Sequence, residues 1–456
     1  MSRGYISNAS PRYAGSMEAN ASEAWIQIKF PLKTRLFMID TKFPPWPDFS
    51  MEEACAVSNT ILSNRVNYWT GRECRTFEHE FARWSGCTYA VAVANGTLAL
   101  ELALRAVGVG CGDEVIVTPR TFLASASCIV AVGAKPVFAD VDRETQNITA
   151  ATVARVLTEK TRAVICVHLA GMPCDMDPLV ELAAQRGLFV IEDCAQAHGA
   201  RYKNRPVGSI GHIGAWSFCQ DKSMTTGGEG GMVTTNDRAL WSFMWAYKDH
   251  GKSWEAVYEK DHPAGFRWLH DSFGSNYRMI ELQAVLGRMQ LQRMPEWSTR
   301  RRDNAMKIWE AAKMCPGLRV PAMPAWAEHA AYKCYVFVEP EKLKKGWSRD
   351  RIMAEINERE VPCYSGSCPE IYLEKAFDHT GWRPSRRLPV ARELGETSLM
   401  FLVHPTLEES HIEKTCSVLH EVMSLAAASA PIRVLAPCPP IAAVLPASTA
   451  STGSGG

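Results

Sequence analysis

The sequence predicts an α/β protein, with a large sheet covered on both faces by helices and a smaller α+β domain after it. Two observations carry this expectation. Short, near-continuous apolar runs alternate with helix-like stretches from about residue 89, the pattern of parallel strands buried on both faces. Further on, the alternation gives way to a strand, a helix and a closing amphipathic helix. A length of 456 residues suits two domains around a large core.

The elements follow in order. YAVAVAN (89–95) is a strand, Gly96 follows at once, and TLALELALRAVG is its helix. EVIVTP is a second strand, with TFLASASCIVAVG as the helix behind it, and KPVFADV is a third strand. RAVICVHLA is the fourth, followed by the helix MDPLVELAAQRG, and LFVIEDCAQ is the fifth. WSFCQDK and GGMVTTN are two short strand-like runs around a Gly-rich turn. A helical stretch spans roughly 278–314 with an expected break near Pro295. YKCYVFVEP reads as a strand, and SRDRIMAEINERE and LEESHIEKTCSVLHEVM as helices. These readings divide the chain into a large domain (43–294) and a small domain (295–424). Residues 1–42 read only as an arm. Residues 425–456, rich in Ala, Pro, Ser and Gly, read as a disordered tail that cannot bury much surface.

Bulk properties narrow the function classes. The formal charge is +1, from 50 Lys+Arg against 49 Asp+Glu, so nothing forces a basic face and nucleic acid is not the expected partner. The 15 cysteines include no Cys-x-x-Cys pair, so no zinc ribbon or thioredoxin-type motif is supported and no metal is expected. Cys166 and Cys194, in or beside apolar runs, read as small buried hydrophobes in a reducing compartment. The N-terminal MSRGYISNASPRYAG lacks the apolar stretch of a signal peptide, and no run of about 18 apolar residues suggests a membrane span. The expected location is the cytoplasm.

In open α/β sheets, ligands bind beyond the carboxyl ends of the strands. The polar residues placed there are Gly96 and Thr97, Thr121 with Phe122, His168, Asp193 with Gln196, and Ser217 with Lys222. One acid, one lysine, one aromatic and several phosphate-type donors converge, the set that a phosphorylated pyridine cofactor needs. Glycine at 96 lets the backbone approach a ligand, and the helix starting there points free N–H groups at an anion. Alone, Asn95-Gly96-Thr97 reads more readily as a plain capped turn. Asp193 follows Phe189-Val190-Ile191, so its carboxylate is buried and needs a partner, either a protonated pyridine nitrogen or an ordinary salt bridge or cap. Lys222 lies between WSFCQ and GGEGG, where burial and nearby cations would favour the neutral, nucleophilic amine; otherwise it is a solvated loop lysine. GGEGG lacks the Lys-Ser/Thr ending of a nucleotide P-loop, and GVGCGDEV (108–115) precedes a strand, so neither is a nucleotide fingerprint.

The order and spacing of NGTLALELAL, GDEVIVTPRTFLASA, GAKPVFADVD, HLAGMPCDMDPL, VIEDCAQAHGA, GAWSFCQDKSMTTGGEGGMV and GSNYRMIELQAVLG closely resemble the DegT/DnrJ sugar aminotransferase family, over about residues 43–424. The resemblance implies the pyridoxal-phosphate (PLP) transferase fold of aspartate aminotransferase, fold type I, with a large mixed sheet covered by helices and a smaller C-terminal α+β domain. It makes Lys222 the Schiff-base lysine and proton shuttle, and Asp193 the acid on the pyridinium nitrogen. It places Gln196 near the ring hydroxyl, Phe122 on the pyridine face, and Gly96, Thr97 and Ser217 on the phosphate. Asn276 matches an asparagine that reaches the phosphate of a neighbouring subunit, which implies a homodimer with shared sites.

The implied reaction is ping-pong transamination from an amino acid, glutamate being expected, to a nucleotide-linked keto-sugar, with surface polysaccharide or a glycosylated metabolite as its destination. A departure from many relatives at VPCYSGSCPEIYLEKAF (361–377) lies near the acceptor and leaves its identity open. Tyr364, His168 and His404 are candidates to face the substrate; each histidine reads also as a structural residue. The rival functions are a cyclitol or antibiotic-precursor aminotransferase, a PLP-dependent sugar dehydratase, and a non-enzymatic PLP-binding regulator. Retention of Lys222 speaks against the dehydratase, whose known relatives often carry histidine there.

Overall fold

The structure, a computed structural model, describes residues 43–428. The arm at 1–42 and the tail from 429 onward lie outside the described residues. A seven-stranded sheet forms the large core. Its spatial order is Tyr89–Val93, Gly231–Thr235, Ile213–Ser217, Phe189–Asp193, Thr161–Val167, Glu114–Val117 and Lys135–Phe138. Gly231–Thr235 runs antiparallel to both its neighbours, while the pairings from Ile213–Ser217 to Lys135–Phe138 are all parallel. The sheet is therefore mixed. The expected strand at WSFCQDK begins earlier and stops at Ser217. Its first half was hidden by Gly214, a poor strand former, yet a Cβ there would meet the Gly208 Cα at 2.6 Å and Thr234 Oγ1 at 2.6 Å. Three helices that the sequence reading did not assign, Met51–Leu62, Glu73–Trp84 and Arg238–Tyr247, are also present.

The helix Glu281–Lys313 runs straight through Pro295, so the expected break is absent. Proline removes one backbone donor, but the helix is held on either side of it by the buried Met294 and Ser298 and by helices Met51–Leu62 and Glu73–Trp84. Its first half contributes Ala284, Leu291 and Met294 to the core of the large sheet. Its second half contributes Ala305, Ile308 and Ala312 to a second core.

That second core lies on a four-stranded antiparallel sheet ordered Leu318–Arg319, Cys334–Val338, Ser398–Phe401, Cys363–Tyr364. Helices Arg349–Glu358 and Glu409–Ala426 pack on it through Ile352, Ile356, Leu419 and Val422. The last helix thus continues past residue 424 and ends with the buried Ala426. Phe43 also packs into this core, although the sequence reading grouped it with the large domain. Among the described residues no helix is long and apolar enough to cross a membrane.

Candidate active site

A cavity of about 720 Å³ opens at the carboxyl ends of the parallel strands, where such sheets bind ligands. Gly96, Thr97, Phe122, Asp193, Gln196, Ser217 and Lys222 all line it. At one end the helix Gly96–Ala106 begins. Asn95 caps it, its Oδ1 accepting from Leu98 N (2.9 Å) and its carbonyl from Ala99 N (3.1 Å). The Gly96 and Thr97 N–H groups, which precede the first intrahelical bond, are left for an anion. Glycine at 96 is a packing requirement, because a Cβ there would stand 2.5 Å from Ser217 Cβ. The Ser217 hydroxyl is thereby held against the start of the helix.

Asp193 ends its strand 4% exposed. Its Oδ2 accepts from Ser125 Oγ (2.8 Å) and its Oδ1 from Ala195 N (3.1 Å). Burial pushes its carboxyl above the usual range, because these two donors and the field of Lys222 do not make up for lost water. Gln196 Oε1 accepts from Ala170 N (2.9 Å), which leaves its amide NH2 for the cavity. Phe122 is 71% exposed on the cavity wall, a large aromatic face free to cover a flat ligand.

Lys222 Nζ lies 3.4 Å from the Tyr332 hydroxyl and 3.3 Å from Asp221 Oδ1. The Tyr332 hydroxyl itself donates to Asp221 Oδ2. The closest charged partner of the amine is therefore an acid, where the sequence reading expected cations. Burial would raise the Asp221 carboxyl, but Lys222, the Tyr332 hydroxyl and Lys333 bring it below its ordinary value. Trp46 Nε1 donates to the Lys222 carbonyl (2.8 Å) and fixes the loop from behind.

The other candidates do not join this cavity. His168 is fully buried, with Nε2 on Glu192 Oε2 (3.0 Å) and Nδ1 accepting from Cys174 N (3.0 Å); both nitrogens are used and none is left for a substrate. His404 packs behind the site, with Nδ1 on Thr406 Oγ1 (2.7 Å) and its ring stacked at 6.1 Å on Trp46. Burial, then the charges of Arg301 and His411, push its pKa down to about 3. Tyr364 is half exposed on an edge strand and is not part of the wall, whereas Gly366, Ser367 and Cys368 just beyond it are. Asn276 is exposed on a loop bridged to Asp249, away from its own cavity. Sequence reasoning missed Ser125, Asp221, Tyr332, Lys333 and the 366–368 turn; Tyr332 carries no local signal because it reaches Lys222 across 110 residues. One His/Cys/acid group of metal-binding spacing exists among the described residues, His168–Glu192–Cys194, and its histidine and glutamate satisfy each other.

PLP fits these residues. A buried carboxyl short of a cation suits the protonated pyridine nitrogen, and a helix start without backbone partners suits the phosphate. A lysine amine reaches the same cavity, as the cofactor's aldehyde requires.

Comparison with known proteins points the same way. The model of the DegT/DnrJ/EryC1/StrS aminotransferase family matches residues 48–420. The chain is 43% identical over 368 residues to GDP-perosamine synthase of Escherichia coli O157:H7, covering 81% of this chain and 93% of the relative. It is 34% identical to the UDP-N-acetyl-3-dehydro-alpha-D-glucosamine 3-aminotransferase of Acidithiobacillus ferrooxidans, over 78% of this chain and 90% of that one. The solved aminotransferase from Psychrobacter cryohalolentis superposes with a TM-score of 0.82 at 62% identity, covering 84% of this chain and 99% of the other. The chain belongs to the DegT/DnrJ/EryC1/StrS aminotransferase family.

Proposed function

We propose that this aminotransferase uses PLP to move an amino group from an amino acid, glutamate in our reading, to a nucleotide-linked keto-sugar. The observation that carries the chemistry is the meeting of Lys222, Asp193 and the open N-terminus at Gly96 in one cavity. The relatives named for GDP- and UDP-sugar reactions support the acceptor class. When bound, the cofactor supplies an electron sink for the carbon that loses its proton.

In this reading Gly96, Thr97 and Ser217 hold the phosphate, Phe122 covers the pyridine face, and Gln196 meets the ring hydroxyl. Asp193 keeps the proton on the ring nitrogen. Lys222 Nζ would take the proton from the donor's α-carbon and return it to the cofactor carbon on the far side of the bridging nitrogen, with Tyr332 and Asp221 holding the amine in place. The acceptor half runs the same moves backwards. The exposed Asn276 loop supports a homodimer in which each copy completes its neighbour's phosphate site. The cysteines among the described residues, free and mostly buried, support a reducing, cytoplasmic setting.

The test is mass spectrometry of products from 15N-glutamate and a panel of nucleotide keto-sugars. One 15N-amino sugar nucleotide should form per 2-oxoglutarate released. A dehydrated product without donor nitrogen, or bound cofactor with no turnover on any sugar, would each overturn the reading. Shared sites are tested by mixing Lys222→Ala and Asn276→Asp chains. Activity should return on mixing, and a mass-verified heterodimer without activity would refute sharing.

A further inference from the structure

The wall of the cavity hides a cation with no counter-charge. Arg120 is 0% exposed and sits one residue before the cavity-lining Thr121 and Phe122. Its Nε donates to Gln146 Oε1 at 3.2 Å, while Nη1 and Nη2 have no hydrogen-bond partner. No carboxylate pairs with it among the described residues. Its only further support is the Tyr335 ring, 5.2 Å from the guanidinium carbon. Burial shifts the group below its usual pKa, with Tyr335 and Cys368 pulling it back only in part. Buried polar groups are almost always satisfied, so two idle guanidinium nitrogens call for a ligand or another explanation; Arg301, the other buried arginine with two idle nitrogens, lies over the Trp46 ring instead.

The Tyr335 hydroxyl accepts from Ser367 N (2.7 Å), and Gly366, Ser367 and Cys368 line the cavity. Gly366 has φ +93°, and a Cβ on it would stand 2.1 Å from the Tyr335 hydroxyl, so this turn is pressed directly onto the ring that carries the guanidinium. The turn that touches the ring under the guanidinium therefore also lines the space a substrate fills. The remaining charges around that space are Lys222 with Asp221, Asp193, Glu229, and Lys333, whose ammonium lies 5.0 Å from the centre of the Tyr332 ring. Arg349 is the other cation near Arg120; it is engaged by Asp350 and by the Gly395 and Ser398 carbonyls.

A planar fork of donors is the match for a carboxylate. We infer that Arg120 is the substrate-carboxylate receptor of this cavity, engaged when the Gly366–Cys368 turn shifts to admit its ligand. The inference rests on the aminotransferase reading. An amino-acid donor always brings a carboxylate; a keto-sugar acceptor bears one only if it is a uronic acid. The shared chemistry is the carboxylate, and the two half-reactions tell the sources apart.

The experiment uses the holoenzyme and the variants Arg120→Met, Arg120→Lys and Lys333→Met. Binding of glutarate, a dicarboxylate that cannot react, is measured by calorimetry, so the result does not depend on turnover. Arg120→Met should weaken glutarate by roughly 10- to 100-fold, Arg120→Lys by less, with cofactor content unchanged. The half-saturation of each half-reaction is then read from the cofactor's visible absorbance. A rise confined to the amino-acid half assigns the donor's carboxylate; a rise confined to the sugar half assigns the acceptor's. If Arg120→Met binds glutarate as the wild type does, or if only Lys333→Met loses it, Arg120 is not the receptor. If Arg120→Met does not fold, Arg120→Lys decides: glutarate affinity and both half-saturations unchanged from wild type would overturn the assignment. Normal glutarate binding without any amino-acid half-reaction in the wild type would instead refute the functional reading.

Discussion

Two adjacent carboxylates, Glu192 and Asp193, point to opposite faces of one strand and meet opposite fates. Glu192 lies in a closed cage. Its Oε2 accepts from Gly208 N (2.8 Å) and faces His168 Nε2 (3.0 Å); its Oε1 accepts from Ile210 N (2.8 Å) and Gly211 N (2.7 Å). Burial alone would raise its pKa, but His168 and these N–H groups hold it below the ordinary range. Asp193, equally removed from water, has only two donors and stays above it. The alternation of a strand separates a carboxylate that holds the fold from one left short of a cation, and only the second faces a cavity. Burial does not mark a functional acid; incomplete satisfaction does.

The contrast can be broken most severely at the two acids themselves. Asp193→Asn keeps the shape but removes the negative charge expected to face the ring nitrogen, so turnover should fall by about 100-fold or more, with no loss of melting temperature. Glu192→Gln turns an amide NH2 towards backbone donors in a sealed site. It should cost roughly 3–5 kcal/mol of stability, read as a lower denaturant midpoint, with cofactor chemistry intact in the surviving protein. Equal effects of the two variants on turnover would erase the distinction.

Glycines sharpen the comparison. Gly96→Ala should loosen cofactor binding by about tenfold or more, because the new Cβ displaces Ser217 at the anion end. Gly208→Ala, at φ +82° and 2.4 Å from Trp216 Cζ2, should instead unfold the cage side and leave cofactor affinity per folded molecule alone. Equilibrium dialysis and thermal melts separate the two.

The acids should also titrate in opposite senses in cofactor-free protein. Glu192, depressed when folded, adds stability that is full above its unfolded pKa of about 4.3 and drains as pH falls through its folded value. Asp193, raised when folded, carries a penalty at neutral pH that disappears as pH falls through its folded value. Asp193→Asn should therefore raise the apo melting temperature near pH 7, and the gain should vanish in acid. A gain that grows in acid would contradict the sign. Smallest of all, Ser125→Ala removes one of Asp193's two donors and should cost about 1–3 kcal/mol or less in cofactor affinity, measured by dialysis.

The sequence by itself determined which residues stand at the strand ends. Gly96, Phe122, Asp193, Gln196, Ser217 and Lys222 follow apolar runs, and the carboxyl edge of an α/β sheet gathers such positions without further information. It also carried the family, since the motifs lie in an order and spacing that chance does not supply. Tertiary structure alone decided how those residues are partnered. Tyr332 reaches Lys222 from 110 residues away, and Trp46 donates to its carbonyl from 176 residues away. His168 read as a substrate candidate until Glu192 and Cys174 took both its nitrogens. Nothing local in the sequence marks Arg120, whose idle nitrogens emerge only once Tyr335 and the turn at 366–368 close over it. The physical reason is common to all of them: periodicity reports which side of an element is apolar, whereas the satisfaction of a buried charge depends on every chain segment that packs around it.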